Sequence, residues 1–289
     1  MRRINSIVFL CLTICAQAFA GDKIPDRIVC LAPNFDETLI ELAMQDKIVG
    51  VTTASDYLDE VKNVERVGAY VKPNIEKIVA LKPDLVLATD FVGQRVVAKK
   101  LSNMGLRVKV VDDREGLEEI FSKTRQIGDS LSAGEKTEKL LARMREAIKD
   151  AKRSTAELAR PRVYVETGFD PLFTCGRGSF INDLIEIAGG TNIAGEINQT
   201  FPRISSEFVL SRDPEVIILT GMVGLNYGAE ALLKRKGWEK ISAVRTGRVY
   251  NDLGPYFITI PSPRLILRGL PELLKRIHPE LAAQTGGRT

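Results

Sequence analysis

Two blocks of this chain occur twice, in the same order. Leu39-Ile40-Glu41-Leu42-Ala43, followed by Ile48 and Gly50, returns as Leu184-Ile185-Glu186-Ile187-Ala188, followed by Ile193 and Gly195. Asn74-Ile75-Glu76, with Pro83-Asp84-Leu85-Val86-Leu87 behind it, returns as Ser205-Ser206-Glu207 with Pro214-Glu215-Val216-Ile217-Ile218. Each copy of the second block has the same physical content. A polar N-cap precedes a glutamate in the first helical turn, where the helix dipole favours an anion. A short helix follows, a proline stops it, and an apolar strand comes next. A chain that repeats such a unit is constrained to two lobes of like topology.

Between these blocks, short Val- and Ile-rich runs alternate with helical patterns. The strands are expected at 27–31, 47–51, 84–88, 107–111, 162–166, 215–220 and 248–251, with helices such as 37–43 and 75–81 among them. Alternating strand and helix implies parallel α/β layers. The expected fold is therefore α/β, with two Rossmann-like lobes. Residues 134–160 place Leu140, Leu141, Met144, Ala147, Ile148 and Ala151 at helical spacing, with neither Gly nor Pro from Glu135 to Ala159. At 1.5 Å per residue this makes a rod of roughly 35 Å, long enough to join two lobes. The alternative is a surface helix within one lobe. The expected organisation is a first lobe over 27–115, a helical connection over 116–160, a second lobe over 161–280 and a flexible tail over 281–289.

The first twenty residues read as a separate object. Met1-Arg2-Arg3 is basic, Ile4 to Ala16 is mostly apolar, and Ala18-Phe19-Ala20 is a small-residue cleavage site. That is the layout of a secretory signal peptide cleaved after Ala20. The apolar stretch is short for a membrane anchor. Export follows as the expectation. Cys11 and Cys15 would leave with the leader. Cys30 and Cys175 remain, read as buried free thiols at equivalent places in the two halves rather than as a disulfide.

Charge and composition close off several functions. Lys plus Arg is 41 against 37 Asp plus Glu, with no long basic run, so a nucleic-acid binder held by phosphate contacts is not expected. The single histidine, His278, excludes histidine-cluster metal capture and Ser-His-Asp chemistry. Neither a dinucleotide-binding glycine motif nor a P-loop is present. Gly176-Arg177-Gly178-Ser179 ahead of a helix is the one glycine-rich loop that could cradle a phosphate, and a plain loop-to-helix turn explains it equally. No catalytic residues, resident cofactor or bound metal are expected, and the chain is not read as an enzyme.

A set of motifs then becomes specific: Arg27 to Asn34 followed by Glu37; Val49-Gly50-Val51 followed by Ser55-Asp56-Tyr57; Asn74 to Val86; Phe173-Thr174 with Gly176; Leu184 with Gly189-Gly190-Thr191-Asn192-Ile193; Ser206-Glu207; and Ser262-Pro263-Arg264. This set resembles the periplasmic cobalamin-binding proteins of ABC importers. More broadly it resembles the helical-backbone class of substrate-binding proteins, which also takes iron–siderophores and haem. The resemblance implies a receptor that carries cobalamin as transported cargo to an inner-membrane ABC permease, with an iron–siderophore or haem receptor as the alternative. It also implies that Glu76 and Glu207, one per lobe, dock into arginine pockets of that permease. The repeat independently puts these two carboxylates at matching places.

The cleft is expected at the strand-to-helix loops, where aromatic residues accumulate. The candidate ligand-binding residues are Tyr57, Tyr70, Phe91, Phe173, Phe201, Asp252 and Tyr256. Flat ligands such as corrins are held by aromatic faces with a few hydrogen bonds. Tyr57, Tyr70 and Phe201 match aromatic cleft positions of the cobalamin binders. Departures from that pattern are Thr89 in place of a Trp, Thr167 in place of a Phe, a longer loop over 251–263, and no cysteine at Ala188 or around Leu274 for the family disulfide. Trp238 is read as a packing residue, and the mature chain as a monomer.

Overall fold

The computed structural model describes residues 24–112, 114–220, 229–253 and 257–281. The proposed leader, Tyr256 and nearly all of the proposed tail lie outside the described residues.

The first lobe is built from β1 (Ile28–Cys30), α1 (Pro33–Glu41), β2 (Ile48–Val51), β3 (Glu65–Arg66), a small antiparallel pair β4 (Gly68–Ala69) and β5 (Lys72–Pro73), α2 (Ile75–Ala80), β6 (Leu85–Thr89), α3 (Val92–Asn103) and β7 (Val108–Val111). Two helices follow, α4 (Leu117–Ser130) and α5 (Gly134–Thr155). The second lobe comprises β8 (Arg162–Phe169), β9 (Leu172–Thr174), α6 (Phe180–Ile187), β10 (Thr191–Asn192), α7 (Ser206–Arg212), β11 (Val216–Leu219), α8 (Ala229–Leu233), α9 (Ser242–Arg245) and β12 (Val249–Tyr250). A π-helical turn over Leu265–Gly269 then leads into α10 (Leu270–Ile277).

The strand orders show the repeat directly. The first sheet runs β3-β2-β1-β6-β7 and the second β10-β8-β11-β12, with every pairing along these two paths parallel. In each lobe the second strand lies outside the first, which pairs with the third and then the fourth. The expected strands all appear, and the repeated Pro83 and Pro214 precede β6 and β11.

Side-chain alternation along the central strands explains why these runs are apolar throughout. Ile28, Cys30, Leu85, Leu87, Val163, Val165, Val216 and Ile218 face one shared core. The residues between them face outward onto a layer of their own lobe: Val29 and Val86 with Leu101 in the first, Tyr164 and Ile217 with Trp238 in the second. A parallel strand buried on both faces has no polar side to present.

Helix α5 spans the lobes. Near its start Lys136 reaches the Ala43 carbonyl at 3.4 Å and Arg143 reaches Glu41 at 3.5 Å, both in the first lobe. At its end Thr155 lies against Gly189, where a side chain is excluded: Gly189 has φ +77°, and a Cβ there would lie 2.6 Å from Thr155 Cβ and 2.8 Å from His278 Nε2. Between those ends Leu140, Leu141 and Met144 lie in the shared core with Phe35 and Leu39 of one lobe and Ile181 and Ile185 of the other.

One expectation needs correcting. Cys30 lies in β1, but Cys175 lies just past β9, the antiparallel arm of a hairpin that the first lobe lacks. The two cysteines are therefore not equivalent. Both are buried and free.

Candidate functional site

In parallel α/β units ligands bind beyond the carboxyl ends of the strands. In the first lobe that edge carries Tyr57, Tyr70 and Phe91. Tyr70 follows β4, and its ring lies 5.7 Å from that of Phe91 at 34°. Buried Gln94 holds this corner. Its amide donates to the carbonyls of Leu31 at 2.8 Å and Tyr70 at 3.0 Å, while its oxygen accepts the Thr89 N–H at 2.8 Å. Tyr70 and Thr89 hydroxyls meet at 3.3 Å. Around this pair Val71, Phe91, Val92 and Val96 are exposed, which makes the rim apolar.

In the second lobe Phe173 sits in β9, half-buried against Gly168, whose absent side chain leaves room for the ring. Phe201, exposed, is carried by a loop tied to the end of that strand: Thr174 N–H donates to Pro202 O at 3.1 Å, Gly176 N–H to Thr200 O at 2.9 Å, and Arg177 N–H to Ile197 O at 2.8 Å. Gly176 permits the approach, since a Cβ there would lie 2.3 Å from Gln199 O. The glycine-rich loop thus positions Phe201. Ser179 caps the helix after it, its Oγ accepting Ile181 N–H at 3.0 Å. Asp252 is engaged elsewhere: its carboxylate bonds Arg276 at 2.7 Å, and this bond is the main reason its pKa lies below the ordinary value. Trp238 is fully buried, edge-on to Tyr164 at 6.1 Å, with its N–H on Ser206 Oγ at 2.5 Å.

Glu76 and Glu207 are both exposed, each two residues after a capping side chain. Asn74 Oδ1 accepts Lys77 N–H at 2.9 Å, and Ser205 Oγ accepts Phe208 N–H at 3.2 Å. Bonds from its own N–H and from Ser205 hold the Glu207 carboxyl below the usual range. Helices α2 and α7 each lead into a parallel strand, β6 and β11, so the two carboxylates occupy matching places in the repeat.

Several polar residues of the site were not anticipated. In β8, Glu166 is fully buried and accepts both terminal nitrogens of Arg235, at 2.6 and 2.9 Å, and the Tyr164 hydroxyl at 3.0 Å. The Arg235 guanidinium lies over the rings of Phe169, 5.0 Å away, and Trp238, 4.4 Å away. A single acid inside an apolar strand was the available signal, because such a charge requires a partner. In α1, Asp36 and Glu37 are both buried. Tyr57 Oη donates to Glu37 Oε1 at 2.8 Å, Ser262 donates to Glu37 Oε2, and Ser55 donates to Asp36.

Burial pushes Asp36 up to about 8 and Glu37 up to about 7, against the pull of these hydroxyl donors. Both values exceed those of an unfolded carboxyl, so the folded chain keeps two protons that the unfolded chain has lost. Stability should therefore fall as pH rises from about 4 through about 8. We expect the melting temperature at pH 5.5 to exceed that at pH 8.5 by on the order of 5–10 °C. Asp36→Asn should remove the larger share of that slope, read by thermal unfolding across pH.

Comparison with known proteins agrees with this architecture. The periplasmic binding protein family model matches residues 28–254. An uncharacterised ABC transporter substrate-binding lipoprotein of Bacillus subtilis, YvrC, is 34% identical over 265 residues, covering 89% of this chain and 82% of the relative. A vitamin B12-binding protein of Pectobacterium atrosepticum is 31% identical over 222 residues, covering 74% and 78%. The crystal structure of a possible iron-binding, periplasmic solute-binding protein of Staphylococcus epidermidis superposes with a TM-score of 0.75 at 26% identity, over 89% of this chain and 100% of that one. With two matching α/β lobes, a spanning helix and a family match across both lobes, this chain belongs to the periplasmic binding protein family, the substrate-binding components of ABC transporters.

Proposed function

We propose that the protein captures a corrinoid, cobalamin or a close analogue, in the cleft between its lobes. It then delivers this cargo to an inner-membrane ABC permease through Glu76 and Glu207. One observation carries the ligand reading: the cleft-side groups are aromatic faces, and three polar groups of the candidate site are engaged within the protein. Tyr57 serves Glu37, Asp252 serves Arg276, and Arg235 serves Glu166. Walls of this kind suit a large flat ligand that brings its own metal already ligated. The vitamin B12-binding relative, at 31% identity, supports the same reading.

The second reading is an iron–siderophore or haem receptor, favoured by the staphylococcal iron-binding structure. Haem held through a tyrosinate requires a phenol that ionises readily. Burial, reinforced by the Glu37 carboxylate, pushes the Tyr57 phenol far above its ordinary value. An anionic ferric siderophore calls for several cations at the cleft, and of the two arginines near the second-lobe rings Arg235 is paired with Glu166 while Arg203, two residues from Phe201, is exposed.

The mature protein is proposed to be an exported monomer, released from its leader after Ala20. Among the described residues no helix is long and apolar enough to cross a membrane. Tyr70→Ala and Phe201→Ala should each weaken cobalamin binding by about 1–3 kcal/mol with the fold intact, measured by calorimetric titration. Tyr57→Ala should in addition lower stability, because it removes a donor from buried Glu37. Unchanged affinity in both Tyr70→Ala and Phe201→Ala would move the site elsewhere.

A further inference from the structure

The contact between Glu37 and Ser262 joins residues 225 positions apart. Glu37 belongs to α1 of the first lobe, and Ser262 lies beyond β12, the last strand of the second. The same seam carries two ion pairs, Arg264 with Glu60 at 3.0 Å and Arg268 with Glu41 at 3.1 Å. Glu37 differs from those because its other oxygen accepts the hydroxyl of Tyr57. One carboxyl group therefore holds a hydroxyl from each side of the molecule, and one of the two is on a candidate cleft residue.

We propose that Glu37 is a positioning residue that couples the lobes to the cleft: by accepting the Tyr57 and Ser262 hydroxyls together, it fixes the Tyr57 ring against the far segment and sets how long the closed cleft retains its ligand. The retention part rests on the reading of Tyr57 as a cleft residue. The coupling itself does not. Ionised Glu37 offers acceptors on both oxygens. Protonated Glu37 turns one oxygen into a donor, so one of the two bonds must reverse, its hydroxyl accepting instead of donating, and both bonds lose the strength that the charge lends them. The groups that face it are Tyr57 on the loop after β2, Arg264 on the far segment, and Glu41 on α1 itself. Its neighbour Asp36 faces Ser55, Cys30 on β1 and Arg66 on β3. Burial places the Glu37 transition at about 7, so the latch weakens as pH falls through neutrality.

The test uses Tyr57→Phe and Ser262→Ala, each of which removes one hydroxyl and leaves the buried carboxyl in place. In ligand-free protein, amide hydrogen exchange should rise about tenfold at 258–268 in Tyr57→Phe and at 53–58 in Ser262→Ala, the factor one hydrogen bond to a charged group supplies. Faster exchange confined to the mutated side would overturn the coupling. With cyanocobalamin as probe, each single change should speed dissociation about tenfold, and the double change no further, because losing either hydroxyl releases the latch. Multiplication to about a hundredfold would mean independent sites and overturn the proposal. Dissociation from wild type should be faster at pH 6 than at pH 8, and Glu37→Gln should flatten that profile. An unchanged profile in Glu37→Gln would assign the titration to another group and contradict the role given to Glu37. If wild type does not bind cyanocobalamin, the corrinoid reading fails, and the exchange measurement still decides the coupling.

Discussion

Reversing both exposed carboxylates, Glu76→Lys together with Glu207→Lys, should abolish uptake of the ligand by cells while leaving its affinity in solution unchanged. Both residues are exposed at the second position of short capped helices, α2 and α7, away from the aromatic corners. The buried Trp238 N–H on Ser206 fixes the start of α7. Helix α5 and the shared core hold the lobes as one unit, so under the proposed docking the two carboxylates would meet the permease at a set spacing. Removing one partner of a desolvated interfacial ion pair costs about 2–5 kcal/mol, so each Glu→Ala change alone should weaken docking roughly 30-fold or more. Two lysines facing permease arginines add repulsion at both ends. A lysine in the first turn of a helix costs only about 0.3–1 kcal/mol of stability, too little to unfold the protein. Uptake assays paired with calorimetry on the purified variants check this. Normal uptake by the double reversal would refute the docking role, and lost ligand affinity would place the glutamates in the cleft or the core.

The second large effect concerns stability. Arg235→Ala should destabilise the fold by about 3–5 kcal/mol, because it leaves the fully buried Glu166 carboxylate without its ionic partner. Lost ring contacts with Phe169 and Trp238 add to that. Glu166→Gln keeps the shape and should cost less. The paired change Glu166→Leu with Arg235→Met should recover part of the loss, since the apolar pair needs no ionic partner but leaves the buried Tyr164 hydroxyl without its acceptor. Urea unfolding of the four proteins gives the comparison. A loss below about 1 kcal/mol for Arg235→Ala would place this pair among ordinary surface ion pairs.

Local order explains what was readable in the sequence. The strand runs, the proline stops, the capped helices and the spanning α5 are each determined within a dozen or so residues, and the repeat checked one copy against the other. Trp238 was readable as a packing residue from its apolar neighbours. The β8–β9 hairpin was not, because Thr167-Gly168 after Glu166 looks like the end of a strand, whereas β8 continues to Phe169. That hairpin is also why Cys30 and Cys175 fail to correspond. The polar network around the cleft was the least readable. Glu37 with Ser262, Asp252 with Arg276 and Glu166 with Arg235 are each distant in sequence; an acid inside an apolar strand, as at Glu166, signals that a partner is needed but nothing local says which residue supplies it. Asp252, expected to touch ligand, shows this: its partner lies on α10.

A corrinoid held in the aromatic cleft is the proposed cargo. Titrating the purified mature protein with cyanocobalamin in a calorimeter, with haem and a ferric siderophore run in parallel, tests it most directly. Saturable one-site binding of cyanocobalamin with Kd of about 1 μM or tighter is expected, with weak or no binding of the other two. Saturable binding of haem or the ferric siderophore, with no heat from cyanocobalamin, would contradict it.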